Sequence, residues 1–156
     1  MPDIEEVKTY LATRDIDVWQ YEQPTPTADL AAVAVGCSAA EIAKTLLFYV
    51  GDRPLIVVTC GDMKINSSLL KQQTGYSGKV KLPLSDDVKA LTGYAPGGVC
   101  PFLLPVELPV FLDRSLCRFE KVYAAAGDAS SAVPLTANQL EIETSGTWVD
   151  VCVKRE

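Results

Sequence analysis

The chain has 156 residues, 48% of them hydrophobic and 22% charged, so it is long and apolar enough to form one compact domain spanning 1–156. Fourteen basic and twenty acidic residues give a net charge of -6, which excludes a protein that holds DNA or RNA through a global positive field. The sequence has no histidine, which excludes a Ser-His-Asp triad, a Cys-His pair, HExxH zinc chemistry and a haem histidine ligand.

The cysteines and the N-terminal residues predict a cytoplasmic protein. Five cysteines without a CxxC spacing are typical of reduced thiols rather than of a disulfide framework. The first residues are acidic where a secretory signal would be basic. No apolar run approaches the roughly 20 residues that span a bilayer, so we expect no membrane association.

The first sixty residues predict short helices followed by a buried hairpin. The predicted elements before the hairpin are a helix over 2–13, a strand over 16–21, a helix from Thr27 to Gly36, and a short helix from a Ser38–Glu41 capping box to Lys44. Two apolar segments, 45–50 and 55–59, flank the turn sequence Gly51-Asp52-Arg53-Pro54, which predicts a β-hairpin. Their near-continuous hydrophobicity predicts burial on both faces.

The remaining residues predict short elements separated by glycine- and proline-rich turns. They are a helix from Asn66 or Ser67 to Gln73, a strand over 79–82, a Ser85-capped helix over 86–92, strands over 108–112 and 121–125, a helix capped by Thr136, and a strand over 148–153. The region 93–105 is rich in glycine and proline and is predicted to be a loop. This order predicts one α/β (α+β) domain.

Positive charge is concentrated in the middle of the chain. Residues 61–90 carry five basic and three acidic side chains, and they are the one net-positive part when the chain is divided at 60 and 90. A phosphate-facing patch and ordinary solvated lysines are both open interpretations of this segment. The residues concerned are Lys64, Lys71, Lys79, Lys81 and Lys89.

Four features are candidates for chemistry, and each has a structural alternative. Lys44, at the predicted helix–strand junction, either interacts with the helix dipole or points into a cleft. The loop Gly93–Pro101 either presents N–H groups to a ligand or is only a tight connection. Cys100 is a small apolar filler or a nucleophile without a histidine base. Asp113, at a strand end, caps the following turn or faces a pocket.

The same residues carry a resemblance to a known family. The patterns are Lys44-Thr45-Leu46-Leu47, Thr92-Gly93-Tyr94-x-x-Gly97-Gly98-x-x-Pro101, Val110-Phe111-Leu112-Asp113-x-Ser115-Leu116, and Ala126-Gly127-Asp128. In this order and spacing, the chain resembles the YbaK/prolyl-tRNA synthetase-associated domain family of aminoacyl-tRNA deacylases. The resemblance runs from about Tyr21 to Val153 and implies a mixed, mostly antiparallel, barrel-like sheet surrounded by short helices.

The resemblance also implies a site and a reaction. The reaction is hydrolysis of the ester that joins a wrong amino acid, such as Cys or Ala, to the 3′ end of a tRNA(Pro)-type molecule, without a metal or other cofactor. Prolyl-tRNA synthetase is a further expected partner, and DNA is not. The implied catalytic residues are Lys44, Gly97, Gly98 and Asp113, and the implied substrate-binding residues are Tyr21, Gly93, Tyr94, Pro101 and Gly127.

Two alternatives to this reaction stay open. The first is a catalytically idle module that docks on tRNA or on a synthetase, consistent with the acidic net charge. The second is a hydrolase that uses the Cys100 thiol. The chain also departs from the family pattern, because Phe102-Leu103 follows Pro101 where many relatives have a glycine two residues after the proline.

Overall fold

The computed structural model describes residues 3–25, 27–105 and 108–155. The helices are α1 (Ile4–Ala12), α2 (Ala28–Val35), α3 (Ser67–Thr74), α4 (Ser85–Thr92) and α5 (Ala137–Thr144), with 3-10 turns at Ala39–Glu41 and Arg114–Arg118. The strands are β1 (Trp19–Gln20), β2 (Ile42–Val50), β3 (Arg53–Cys60), β4 (Met63–Ile65), β5 (Val80–Lys81), β6 (Val110–Asp113), β7 (Val122–Ala124), β8 (Ser131–Leu135), β9 (Thr147–Val149) and β10 (Cys152–Lys154).

The large sheet has the strand order β1-β8-β7-β2-β3-β6-β9, and β5 pairs with the far end of β2. The pairs β2–β7, β3–β6 and β6–β9 are parallel, and the others are antiparallel. A separate antiparallel pair is formed by β4 and β10. The prediction of a mixed α/β fold with a mostly antiparallel sheet and short helices is therefore confirmed. No helix among the described residues is long and apolar enough to cross a membrane.

The central hairpin confirms the prediction of burial on both faces. Strands β2 and β3 pair through eight residues each, and the turn of Gly51 and Asp52 closes the hairpin, with Gly51 at φ +63°. Alternate side chains of β3 enter different cores because successive residues of a strand point to opposite faces. Ile56 and Val58 belong to the larger core, whereas Leu55 and Val57 belong to the smaller one under β4 and β10.

Three of the predicted helix N-caps are present, whereas the one predicted at Ser85 is not, because Ser85 is the first residue of α4 and the N-cap position is taken by Leu84, which forms no side-chain cap. The side-chain oxygens of Thr27, Asn66 and Thr136 each accept a backbone N–H bond at the start of α2, α3 and α5. Gly36 and Gly75 end α2 and α3 with left-handed backbone angles. These caps fix short helices that have little intrinsic stability of their own.

The structure corrects two of the predicted strands and adds two that the sequence did not predict. The strand predicted over 16–21 is reduced to β1, which pairs with β8, and β8 and β4 were not predicted at all. The strand predicted over 148–153 is two strands, β9 and β10, in different sheets. The break falls at Asp150 and Val151, where the Val151 N–H donates to the buried carboxylate of Asp113 at 2.9 Å instead of to a neighbouring strand.

The segment before Lys44 is a single 3-10 turn rather than a helix that extends to this lysine. The capping box between Ser38 and Glu41 is present, but β2 begins at Ile42, directly after the turn. Pairing of β2 with β3 outweighs the local helix signal. Lys44 is consequently the third residue of a central strand.

Candidate active site

A cavity of about 320 Å³ opens beside the first half of β2. Its wall combines residues from α2, β2, β7, β8, the glycine loop and the C-terminal end of β10, which are far apart in sequence. The lining residues include Ala28, Ala31, Ala43, Lys44, Thr45, Gly97, Val99, Ala124, Ala125, Asp128 and Arg155. The volume is at the lower end of the range for small-molecule sites.

The cavity lies where one edge of β2 is free. On this edge, β7 pairs with β2 at Ile42 and Ala43, and β5 pairs with it at Tyr49 and Val50. Within the described part of the chain, residues 44–48 have no strand partner on this side. The edge therefore exposes backbone hydrogen-bonding groups next to the cavity.

Lys44 is half-buried in the cavity wall, and its ammonium group has a fixed partner. Its Nζ donates to the carbonyl oxygen of Met63 at 2.7 Å. Burial lowers the pKa of Lys44 from its ordinary value, and the positive charge of Arg155 lowers the pKa further. The nearby Cys152, Asp62 and Cys60 act in the opposite direction. The geometry thus supports the interpretation that Lys44 faces a cleft.

The proton of Lys44 is expected to leave at a lower pH than that of a solvated lysine, whose pKa is 10.5. Burial and Arg155 both disfavour the ammonium form, so replacing Arg155 by glutamine should raise the pKa of Lys44. The measurement is an NMR titration of the lysine ¹³Cε signals, assigned with Lys44→Arg. A Lys44 pKa that does not rise in Arg155→Gln would show that the two charges do not interact.

The glycine loop reaches the cavity through a tight turn. The Gly98 N–H donates to the Ala95 carbonyl oxygen at 3.0 Å, with Pro96 and Gly97 at the central positions and Gly97 at φ +90°. This is the pattern of a type II turn. Gly97 and Val99 line the cavity. In the described part of the structure their amides have no acceptor, whereas the Gly98 amide is already used by the turn.

Gly98 is required for packing rather than as an N–H donor to a ligand. A Cβ atom built on it would lie 2.7 Å from Asp128 Cα and 3.0 Å from the Asp128 carbonyl carbon. These are backbone atoms, so one of the two segments has to move. Gly98 therefore holds the loop against the segment that contains Asp128, and Asp128 itself lines the cavity.

Replacing Gly98 by alanine is expected to destabilise the protein by about 1–3 kcal/mol and to displace the cavity loop, because the added Cβ overpacks it. Urea unfolding and the NMR shifts of the loop measure the two effects. The control is Gly75→Ala, which adds a Cβ in open space at φ +76° on α3. It should cost stability through strain alone and leave the loop signals unchanged. Equal shifts of the loop signals in both variants would contradict the packing argument.

Several residues implied by the resemblance shape the loop but do not line the cavity. Tyr94 is 2% exposed, and its hydroxyl donates to the Phe102 carbonyl oxygen at 2.6 Å. Gly93 ends α4, and Gly127, at φ +107°, lies against the Tyr94 ring. Pro101 is buried at the end of the loop. The structure thus places the Tyr94 ring in the core rather than in the cavity wall, and its contact with substrate stays a prediction.

Asp113 is also placed away from the cavity. Its side chain is 1% exposed, and its oxygens accept hydrogen bonds from Val151 N at 2.9 Å, Ser115 N at 3.1 Å and Thr59 Oγ1 at 3.4 Å. It caps the 3-10 turn that follows β6. The structure thus shows Asp113 as a capping carboxylate, and a catalytic role for it stays a prediction.

Cys100 does not lie at the cavity surface. The side chain is fully buried in the larger core, and its thiol is 3.8 Å from the Phe102 carbonyl oxygen. Burial raises the pKa of the Cys100 thiol to about 11. A thiol that is protonated and inaccessible at neutral pH is a poor nucleophile, so the thiol-hydrolase alternative is disfavoured.

Tyr21 and Thr45 carry buried hydroxyls with no hydrogen-bond partner in the described structure. Tyr21 lies beside Cys37 and Tyr123, and burial raises its pKa, but it is not among the cavity-lining residues. Thr45 lines the cavity and was not singled out from the sequence as a site residue. A lone hydroxyl on a strand gives no sequence signal, because its burial depends on residues that are distant in the chain.

Arg155 is another cavity residue that was not predicted from the sequence. The sequence offers the net-positive segment 61–90 as a possible phosphate-facing patch, yet none of its five lysines lines the cavity. Arg155 lies in a net-negative part of the chain, and only the pairing of β10 with β4 brings it to the cavity.

The architecture agrees with that of solved structures to which this chain is similar. The family model of the aminoacyl-tRNA editing domain matches residues 22–142, and the chain belongs to this family of YbaK-like domains. The chain is 37% identical over 153 residues to the uncharacterized protein YwhH of Bacillus subtilis (strain 168), with 96% of each chain covered.

Two further relatives carry functional names. One is the "putative Cys-tRNA(Pro)/Cys-tRNA(Cys) deacylase EbsC" of Enterococcus faecalis (strain ATCC 700802 / V583), 25% identical over 82% of this chain and 78% of that protein. The other is the solved structure of a "putative trans-editing enzyme for prolyl tRNA synthetase", with a TM-score of 0.86 and 28% identity over 100% of this chain and 99% of that one.

Proposed function

We propose that this protein is an aminoacyl-tRNA deacylase that removes a small wrong amino acid, such as Cys or Ala, from a tRNA(Pro)-type substrate. The observation that carries the proposal is the cavity itself, in which Lys44 and the turn containing Gly97 line the same space. Family membership and the names of the two relatives support the substrate class.

The proposed reaction suits a site without histidine. Water attacks the ester carbonyl carbon, the C–O bond to the terminal ribose breaks, and the ribose oxygen is protonated. The products are the free amino acid and a tRNA with a free terminal hydroxyl. An aminoacyl ester is already activated, so positioning and oxyanion stabilisation supply most of the rate enhancement.

Particular groups are available for these steps. The amides of Gly97 and Val99 have no acceptor in the described structure and are the candidate oxyanion donors. Each such donor contributes about 10²–10³ in rate. Lys44 supplies a cation for the terminal phosphate or for the substrate carbonyl. The unpartnered Thr45 hydroxyl is a candidate hydrogen-bond partner for the aminoacyl group.

The size of the cavity supports a small amino acid as substrate. Alanines from three strand segments and from α2 form much of the wall; they include Ala28, Ala31, Ala43, Ala124 and Ala125. In a volume of about 320 Å³, the terminal adenosine and a bulky side chain compete for space. Exclusion by size is the principle of an editing sieve.

The test is a deacylation panel with tRNA(Pro) charged separately with alanine, cysteine, serine and proline. We expect release of at least one small non-cognate amino acid and little release of proline. A folded protein that releases none above the spontaneous rate would overturn the proposal. Salt-sensitive binding of uncharged tRNA without any release would instead indicate the idle binding module.

A further inference from the structure

Arg155 and Lys44 line the same cavity, and each forms a hydrogen bond to the start of the short strand β4. The side-chain Nζ of Lys44 donates to the Met63 carbonyl oxygen at 2.7 Å, and the backbone N–H of Arg155 donates to the Asp62 carbonyl oxygen at 2.8 Å. These are consecutive carbonyls at the start of β4. Both residues also line the cavity, so the fold brings two cations to one part of its wall.

The Arg155 guanidinium is not committed to a strong partner. Its ion pair with Asp29 of α2 is 3.7 Å long, and the two side chains are 45% and 74% exposed. Exposed pairs of this kind contribute about 0–1 kcal/mol. Arg118, by contrast, forms a bidentate pair with Asp62 at 2.7 Å and 3.0 Å. Arg155 is therefore free to exchange Asp29 for a better anion.

The surroundings favour an anionic ligand with oxygen atoms. Burial and Arg155 together disfavour the charged form of Lys44, so an anion between the two residues would relieve this repulsion. One carboxylate, Asp128, is also in the wall, and its Oδ1 already accepts the Ser130 N–H at 2.9 Å. The planar fork of a guanidinium matches two oxygens of a phosphate.

We infer that Arg155 is a second phosphate-binding residue of this cavity and that, with Lys44, it holds a phosphodiester of the tRNA 3′ end beside the ester. The inference rests on the proposed function, and it adds a nucleotide-phosphate contact that the sequence did not predict. In the free protein, the Arg155 guanidinium pairs with the Asp29 carboxylate, and the phosphate displaces this carboxylate when it binds.

The test compares the binding of two probes, the trinucleotide CpCpA and the nucleoside adenosine, by titration calorimetry at low salt. Arg155→Gln should weaken CpCpA binding about 10-fold or more, as expected for a charge-assisted hydrogen bond, and leave adenosine binding unchanged. Arg155→Lys should recover part of the loss. The matched control is Lys154→Gln, which removes the same charge from the exposed neighbouring residue and should change binding little.

Three results would overturn the inference. They are no CpCpA binding by the wild-type protein at 1 mM, equal weakening in Arg155→Gln and Lys154→Gln, and weakening in Asp29→Asn as large as in Arg155→Gln. The last would show that Arg155 acts only by holding α2. Because the probes carry no aminoacyl ester, the two ideas fail separately. The expected binding pattern without deacylation would uphold the inference and reject the proposed function, whereas any of these three results together with deacylation would reject the inference alone.

Discussion

Replacing Lys44 by methionine is expected to lower kcat/KM for deacylation by about 10²–10³-fold while the protein stays folded. Methionine preserves most of the length of the side chain but removes the cation from the cavity wall. The structural cost is the loss of the Nζ donor to the Met63 carbonyl oxygen, and one neutral–charged hydrogen bond near the surface costs about 1–2 kcal/mol. Single-turnover deacylation and a thermal melt measure the two effects separately.

The matched control for Lys44 is Lys64→Met. Lys64 is an exposed lysine of β4 and does not line the cavity, so this variant changes the net charge equally. We expect it to change kcat/KM by less than about threefold, through long-range electrostatics alone. If Lys44→Met kept activity at the level of this control, the role proposed for Lys44 would be wrong.

Replacing Asp113 by alanine is expected to destabilise the fold by about 3 kcal/mol or more. The carboxylate is buried and accepts three hydrogen bonds, and two of the donors, Val151 N and Ser115 N, are backbone groups. Each buried donor left without an acceptor costs about 1–3 kcal/mol. The bond to Val151 also fixes the break between β9 and β10, so its loss should loosen the β4–β10 sheet that positions Lys44 and Arg155. Urea unfolding measures the change.

The control for Asp113 is Asp150→Ala, which removes an exposed carboxylate from the same break and should change stability by about 0.5 kcal/mol or less.

A second variant, Asp113→Asn, separates structure from catalysis. We expect it to lose stability but to keep kcat within about tenfold when corrected for the folded fraction. A loss of activity as large as that of Lys44→Met, with an unchanged melting temperature, would restore a catalytic role.

Local chemistry made much of the fold predictable. The hairpin of β2 and β3, the caps at Thr27, Asn66 and Thr136, and the glycine ends of α2 and α3 all follow from residues within a few positions of each other. The short strands were harder. β8 contains Pro134, which weakens its strand signal, and β4 and β10 are three residues each and form only by pairing with each other.

The candidate site was predictable in part, for the same reason. Lys44 and Gly97 were identified through motifs, and both line the cavity. Tyr94 shares a motif with Gly97, and Asp113 belongs to a further motif of the same resemblance, but both side chains are buried in the protein interior. Sequence spacing does not distinguish a residue of the cavity wall from a residue that supports the wall from behind. Arg155 was missed because its position depends on a strand pair between segments about 90 residues apart.

The free edge of β2 also affects how the protein avoids aggregation. An unpaired strand edge normally offers a template on which another chain can add a strand. Here α2 and the turn at Gly97 line the same cavity as residues 42–46. We expect these two elements to hinder a second chain from pairing along the free edge of β2. The protein can therefore keep open backbone groups for recognition without offering its central hairpin to a second copy.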